Sequence, residues 1–521
     1  MFGVIKHGVY ANCDCHRISF DLFFAVFAPL EVLIYSKYNF TIDRGDFAVK
    51  AETLGPGNYD GIARLFSDPA QISVFRIAFH YLQFYDVGTL LIKVALNALS
   101  LFKWWRTIFH LVENSRQRQR KLETNTEATE SLHKPQAKPE VKPRRLHNYL
   151  IASLFFLAGV AVFVYSIVAV VSTRQVCRPY SQCVVPSYRW NIGDAPCSCI
   201  VYVDRSLRLT KYSEWQDPPD TTANLAALAA SGHLHIVQII NRALPRFPEE
   251  LRRCKHLEQV ILIYTKTERF PDWFKEFKHL EYLHVEGDFT PRRLTYMPQD
   301  MLSDMPSLMF LHLGCLPSLP AVPDLRGSPQ LRYLVLAVLH SVQELPSVEH
   351  LKYLKTFTIV DGTSLSELPS LSSLTSLVSF ALTYINPVCC NGYVTGACDL
   401  SKFYCQPRTG LRAPTCVTER MSDASKAVVA RVGGTLCDDR TVDLEASAPS
   451  TLTVDTLCGG VRYKQCSVNG AAGICYNVRM MVLTCDASGR YELMRRMEIA
   501  RGVGEPCDPV VEAWLGCTAK S

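Results

Sequence analysis

The chain contains twenty cysteines, whose thiols can form disulfides or bind metal ions. Only Cys13 and Cys15 lie in the first part of the chain, and the other eighteen begin at Cys177. This asymmetry indicates a reducing compartment for the first part and an oxidising one for the rest. The sixteen disulfide candidates are Cys177, Cys183, Cys197, Cys199, Cys389, Cys390, Cys398, Cys405, Cys416, Cys437, Cys458, Cys466, Cys475, Cys485, Cys507 and Cys517.

Two groups of candidates are separated along the chain. Twelve fall within 389–521, and their even number predicts up to six disulfides whose pairing the sequence leaves open. Four lie between Cys177 and Cys199, where they predict a cap with two disulfides before the repeats described below. The close spacing of Cys197 and Cys199 makes a zinc site the alternative, although it is not the spacing of a zinc knuckle. Cys254 and Cys315 are expected to be free, buried thiols.

His284 and His312 form the other pair that could do chemistry. They occupy the same position in adjacent repeats, and neighbouring strands lie about 4.8 Å apart, so the imidazoles could meet. A metal site or a pH switch would use such a pair. No third ligand is evident, so we interpret them as surface histidines in a cleft and predict neither a metal site nor a cofactor.

Motifs of enzymes are absent from the sequence. We find no Walker loop, no dinucleotide-binding glycine pattern, no H-E-x-x-H, no G-x-S-x-G and no kinase signature. The protein is therefore predicted not to be an enzyme.

The element that must position these residues is a repeat. Seven segments of the form apolar-x-x-apolar-x-apolar recur between Leu234 and Tyr384, spaced by 23 residues except for one unit of 28. This period is the signature of leucine-rich repeats, in which each unit supplies one strand to a shared core. The fold is predicted to be an α/β leucine-rich repeat solenoid. The segments begin at Leu234, Leu257, Leu280, Leu308, Leu331, Leu354 and Leu377.

The strands of such a solenoid line a concave surface, and the residues between the core positions face outward. Here that row is more apolar and aromatic than a solvated face requires, which favours a partner-binding site. The alternative is that the C-terminal region or a flanking segment covers it. The predicted binding residues are Ile261, Tyr282, His284, Phe310, His312, Tyr333 and Val335.

Membrane segments precede the repeats. Residues 150–171 carry no charge over 22 positions, enough to span about 30 Å of hydrocarbon. Segments 18–36 and 81–102 are weaker candidates, and the second contains Asp86 and Lys93, which could pair. The loop between the last two candidates is strongly basic, which predicts a cytoplasmic location, so the repeats are predicted to be exoplasmic.

The end of the chain carries a specific resemblance. Trp514-Leu515-Gly516-Cys517 closes a cysteine-rich region that follows the repeats, and the region opens with Cys389-Cys390-Asn391-Gly392. In this architecture the chain resembles the WLGC-domain proteins of oomycetes, which are membrane-anchored and contain leucine-rich repeats. Turn signals between short apolar runs predict small strands in this region, and helices are predicted near 422–432 and near 508–515, so we expect a small disulfide-rich α+β domain. The resemblance transfers no activity.

The predicted organisation has six parts. They are a membrane-associated region over 1–107, a disordered basic loop over 108–147, a transmembrane helix over 148–172, a cap over 173–233, repeats over 234–388 and the WLGC domain over 389–521.

These features predict a non-catalytic, receptor-like recognition protein of the plasma membrane. Its concave face would bind a protein, peptide or glycan, a co-receptor would signal, and no nucleic acid is expected. One alternative is a structural or adhesive surface protein that uses the disulfide-rich domain. Another is a multi-span transport accessory that uses Asp86 and Lys93.

Overall fold

The computed structural model describes eleven stretches of the chain. They are residues 44–54, 106, 109–110, 112–120, 144–187, 196–288, 293–402, 405–407, 410, 412–437 and 449–518. Residues 42–70 and 166–521 belong to one compact unit, and the remainder to another. The predicted membrane segments 18–36 and 81–102 lie outside the described residues, as do residues 289–292 of the long repeat.

Among the described residues, helical segments precede the first strand. Helix α1 is Arg44–Leu54, and helix α2 is Arg144–Cys177. Within the described residues, one stretch, Gly159–Cys177 of α2, is long and apolar enough to cross a membrane. Its large side chains are exposed, Phe163 by 65% and Val171 by 58%. Residues 112–120, which the sequence analysis placed in a disordered loop, are helical instead. Their arginines and glutamines are good helix formers, which the charge of the segment obscured.

A nine-stranded sheet follows, with its strands in chain order. Strands β1 and β2 pair antiparallel, and every later neighbour pairs parallel, as in a solenoid. Short helices α3 (Tyr212–Gln216) and α4 (Thr222–Ala229) separate β2 from β3. The strands are β1 Cys183–Pro186, β2 Cys199–Arg205, β3 Ile236–Ile240, β4 Gln259–Ile263, β5 Tyr282–Glu286, β6 Phe310–Gly314, β7 Tyr333–Ala337, β8 Thr356–Val360 and β9 Ser379–Thr383.

The predicted repeat is confirmed strand by strand. Strands β3 to β9 begin two residues after the seven predicted leucines, and six of those leucines are fully buried. Stacked neighbours bury these apolar positions in one continuous core, which no single unit could form alone. Strands β2 and β1 extend the sheet by two strands into the predicted cap, the second of them antiparallel.

Disulfide-bonded caps close both ends of the repeats. At the first end, Cys177–Cys197 and Cys183–Cys199 join α2 to β1 and β2, so these cysteines do not form the alternative zinc site. At the other end, residues 387–437, which we call the C-terminal cap, contain three disulfides and share the repeat core. They are Cys389–Cys437, Cys390–Cys405 and Cys398–Cys416. Helix α5, Asp423–Arg431, begins after Ser422, whose hydroxyl accepts a hydrogen bond from the Ser425 amide.

Residues 449–518, which we call the C-terminal module, have a separate framework. Strands β10 (Gln465–Val468), β11 (Ala471–Tyr476) and β12 (Thr484–Asp486) form an antiparallel sheet, followed by helix α6, Arg490–Arg501. Its disulfides are Cys458–Cys475, Cys466–Cys485 and Cys507–Cys517. Among the described residues no disulfide joins the module to the C-terminal cap, so 389–521 contains two disulfide-bonded parts.

The tetrapeptide at the end of the module has a physical role at each position. Trp514 donates from Nε1 to the Tyr463 carbonyl at 3.1 Å, and Leu515 is buried in the module core. Gly516 has φ = 95°, a conformation that other residues rarely adopt. The chain then reaches Cys517 and its disulfide. The helix predicted near 508–515 is only a short 3₁₀ turn, Ala513–Leu515.

Candidate functional site

The concave face consists of three columns of side chains, because parallel strands in register place equivalent residues side by side. All seven predicted binding residues lie on two of these columns. The first is Ile236, Gln259, Tyr282, Phe310, Tyr333, Thr356 and Ser379. The second is Gln238, Ile261, His284, His312, Val335, Thr358 and Ala381. The third is Ile240, Ile263, Glu286, Gly314, Ala337, Val360 and Thr383.

Burial divides this face into a covered and an open half. From β3 to β6, the concave residues of the second and third columns are buried as completely as the core residues between them. From β7 to β9, buried core residues alternate with half-buried or exposed concave residues. Such alternation is expected of a sheet with one solvated face. Only the second half is therefore accessible to a ligand.

The C-terminal module covers the first half. Ile240, Ile261 and Ile263 of the concave face belong to one apolar cluster with Met480 and Met481 of the module. This burial removes apolar surface of both partners from water, which is the main stabilising contribution to such a contact.

Hydrogen bonds fix the orientation of the module on the repeats. The Asn241 side chain donates to the Met480 carbonyl at 2.8 Å, and the Tyr264 hydroxyl donates to the Arg479 carbonyl at 3.1 Å. The side chain of Asn477, a residue of the module, donates to the carbonyl of Leu209 at 2.9 Å. Each of these hydrogen bonds forms only when the donor and the acceptor are correctly placed, so together they favour a single docked arrangement of the module.

Helix α1 packs against the outer side of the module. Its Val49 and Leu54 belong to the same apolar cluster, and Arg501 of α6 pairs with Glu52 at 2.8 Å. Residues 44–54 are thus part of the same compact unit as the repeats and the module.

A buried polar cluster lies on the covered half, where β5 and β6 meet. Glu286 Oε2 is 3.1 Å from His312 Nε2 and 3.7 Å from His284 Nε2, and the two rings stack at 4.2 Å. The three residues are between 2% and 6% exposed. Burial lowers the pKa of His284 to about 4. Burial by itself would raise the pKa of Glu286, but the adjacent imidazoles hold it below its usual range.

Three further residues surround this cluster. Gly314 faces Glu286 on the neighbouring strand, and a Cβ atom there would lie 2.1 Å from the carboxylate. The Cys315 thiol contacts the same carboxylate, and burial raises its pKa well above the usual value. The positive charge of Arg479, from the module, acts on both Glu286 and Cys315. Cys315 and Cys254 are free and buried.

The predicted site residues differ in how far they are buried. Ile261, His284 and His312 are buried, so the interpretation of the two histidines as surface residues is wrong. Tyr282 and Phe310 are partly buried and stack at 4.1 Å, and the Phe310 and Tyr333 rings lie 6.2 Å apart, so these three rings form an aromatic stripe along the first column. Among the stripe residues, Tyr333 is the exposed one, at 42%.

Glu286 is the residue that the sequence analysis missed. It lies two positions after His284 on a strand, and side chains two apart point to the same face. The pattern His-x-Glu opposite His in the next repeat could have revealed the third member of the cluster.

Comparisons with known proteins found one family model and similar solved structures. Residues 453–518 match the model of the WLGC domain family. Among solved structures, the leucine-rich repeat domain of the type III effector XCV3220 (XopL) is 17% identical, covering 33% of this chain and 80% of that one with a TM-score of 0.24. The Leptospira interrogans LRR protein LIC12759 is 18% identical, covering 30% and 51%, with a TM-score of 0.19. No curated protein matches. Neither structural likeness carries information on a ligand.

Proposed function

We propose that this chain is a membrane-anchored, non-catalytic recognition protein whose ligand site is the open half of the concave face, strands β7 to β9. The observation that carries the proposal is the change in burial at β7. A repeat face that is filled over four strands and open over three offers one bounded surface to a partner. Leucine-rich repeats suit such a role because their strands form a rigid, extended platform.

The chemistry of the open half indicates the class of ligand. Its nine concave positions carry no charge, and Thr356, Thr358, Ser379 and Thr383 offer hydroxyl groups on the same face as the exposed ring of Tyr333. A ring beside several small hydrogen-bonding groups suits an uncharged peptide or a glycan, since aromatic anchors contribute most at interfaces. A densely charged partner such as nucleic acid would find no counter-charge among these nine positions.

Helix α2 supplies the proposed anchor. Its apolar side chains are exposed over about the thickness of a hydrocarbon core, which a helix in water would not favour. The eight disulfides within the described residues, the first of which includes Cys177, suit an oxidising compartment beyond the membrane. The packing of α1 on α6 supports placing residues 44–54 on that same side.

The alternative adhesive role receives less support. A disulfide-rich domain that adheres independently would present its own surface, but the C-terminal module buries Met480 and Met481 against the repeats. The module is better described as a fixed part of the recognition domain that fills half of the concave face.

Binding by the full chain in nanodiscs, screened against peptide and glycan arrays, tests the ligand site. Thr358→Arg on the open half is expected to abolish binding, and Tyr333→Ala to weaken it at least tenfold. Ser372→Arg, at an exposed position of a return segment, is the matched control and is expected to bind like the wild type. A ligand that binds all three variants equally would overturn the proposed face.

Glycosylation mapping tests the anchor separately. Acceptor sites introduced near residues 60 and 220 are expected to be modified, and a site near residue 125 is not. Modification near 125 with none near 220 would place the repeats in the cytosol and contradict the proposal.

A further inference from the structure

We infer that His284, Glu286 and His312 form a binding site for a divalent transition metal ion such as Zn²⁺, buried between the third and fourth repeats. The inference does not depend on the ligand proposed for the open half. It rests on three features of the covered half, namely the spacing of the donor atoms, the space around them and their position beneath the module.

The donor atoms are spaced as a metal ion requires. One ring nitrogen of each histidine and a carboxylate oxygen of Glu286 all lie within 4.8 Å of one another, and the two Nε2–Oε2 distances are 3.1 and 3.7 Å. Ligands on a tetrahedral zinc ion at about 2.0–2.1 Å are about 3.3 Å apart, a value between those two distances. The nearly parallel rings, 15° from one another, would tilt so that both nitrogens point at the ion.

The chemical nature of the donors limits the choice of ion. Imidazole suits zinc, copper, iron and nickel, whereas calcium and magnesium prefer oxygen ligands throughout. Two imidazoles and one carboxylate leave a fourth position. A water molecule would complete the set at that position, as in zinc sites with three protein ligands.

Glycine at position 314 keeps the site open. Its φ is outside the region that demands glycine, so the backbone conformation does not explain the residue. The surrounding side chains explain why glycine is present, because a Cβ atom at this position would lie 2.1 Å from Glu286 Oε2 and 2.8 Å from His312 Nε2. The equivalent positions in the next three strands carry Ala337, Val360 and Thr383.

The location of the site indicates a structural role. The three side chains are buried, so a substrate could not reach an ion bound there, and a bound ion would link β5 to β6. We therefore expect metal binding to stabilise the covered half.

Zinc titration of the full chain in nanodiscs, stripped with a chelator and free of affinity tags, tests the inference. Isothermal titration calorimetry is expected to show one more zinc equivalent for the wild type than for Glu286→Gln or His312→Gln. The matched control is His340→Gln, because His340 pairs with a single carboxylate, Asp361, at 3.1 Å and should leave the stoichiometry unchanged. Equal stoichiometry in all four proteins would overturn the site.

A second measurement on the wild type alone guards against variants that fail to fold. Zinc is expected to raise the thermal unfolding temperature of the chelator-treated protein by several degrees with saturable dependence on concentration, as for a ligand specific to the folded state. A stripped wild type that binds no zinc, or whose unfolding temperature zinc does not raise, would show that the cluster is only a buried histidine–carboxylate contact.

Discussion

The side chain of Asn241 donates a hydrogen bond to the main-chain carbonyl of Met480, 239 residues later, at 2.8 Å. The same amide also donates to the Ser206 carbonyl at 2.5 Å. Asn241 directly follows strand β3 and has φ = 54°, which asparagine tolerates better than most residues. One side chain at the end of a repeat strand thus fixes the C-terminal module on the repeat array.

Replacing Asn241 by glycine is expected to destabilise the docked module by about 1–3 kcal/mol, because the buried Met480 carbonyl and the partly buried Ser206 carbonyl lose their donor. Glycine keeps the positive φ without strain, so backbone effects are small. Denaturant unfolding with disulfides intact would measure the change. Ser341→Ala, which removes one hydrogen bond at an exposed site, is expected to stay within about 0.5 kcal/mol of the wild type. Equal losses for both variants would contradict the role of Asn241.

Gly314→Ala is expected to destabilise the protein by about 1–3 kcal/mol, because the added methyl group forces Glu286 and His312 apart in a packed interior. Thermal unfolding of the full chain would measure the loss. Gly433→Ala is the matched control, because its Cβ atom would meet only the Val378 carbonyl at 3.6 Å. If Gly314→Ala were as stable as that control, the space around the cluster would be less restricted than its contacts indicate.

The docking of α1 on the module is expected to weaken as pH rises towards neutrality. Burial raises the pKa of Glu498 to about 7, against the opposing effects of Arg495 and Lys50 and with a contribution from Asp46. The folded protein therefore holds this proton more tightly than the unfolded chain does. The resulting stabilisation is complete below about pH 4.5 and is lost as pH rises to about 7, a change of about 1–3 kcal/mol.

Hydrogen exchange of residues 44–54 at pH 5 and pH 8, corrected for intrinsic rates, would measure this effect. Protection is expected to be greater at pH 5. Asp46→Asn removes the carboxylate that repels ionised Glu498, so this variant is expected to show a smaller difference. The same pH dependence in the variant and the wild type would exclude Asp46 as a cause.

Replacing both Cys389 and Cys437 by serine is expected to cost about 2–4 kcal/mol, since this disulfide closes a long loop in the unfolded chain. It joins residues 48 apart and holds the end of the C-terminal cap against β9, where the Cys437 amide donates to the Leu382 carbonyl. Limited proteolysis is expected to cleave within 387–437 first. The pair Cys398 and Cys416 spans only 18 residues, so its removal is expected to cost less. A larger loss from the shorter loop would contradict this ranking.

The repeat array could be predicted from the sequence because its determinants are local. Each unit repeats the same three apolar positions, and their burial requires only that the next unit stack on the last, so spacing alone located seven strands. Helix α6 was not predicted, because arginines occur on both its exposed and its buried side and its sequence shows no apolar face. Arg495 is fully buried because it pairs with Glu498 and Glu512. The sequence of the helix does not indicate an ion-pair partner that lies elsewhere in the module, such as Glu512.

The sequence by itself determined which residues lie on the concave face and which cysteines are available for disulfides, because both follow from period and composition. The tertiary structure decided which half of that face is open and that His284 and His312 are buried with Glu286. It also decided that the disulfide-rich region divides into a cap and a module. The covering of the first half depends on contacts between residues more than two hundred positions apart, such as Asn241 and Met480, and such contacts leave no periodic signal in the chain. The division of the disulfide-rich region depends on which cysteines pair, which their spacing leaves open.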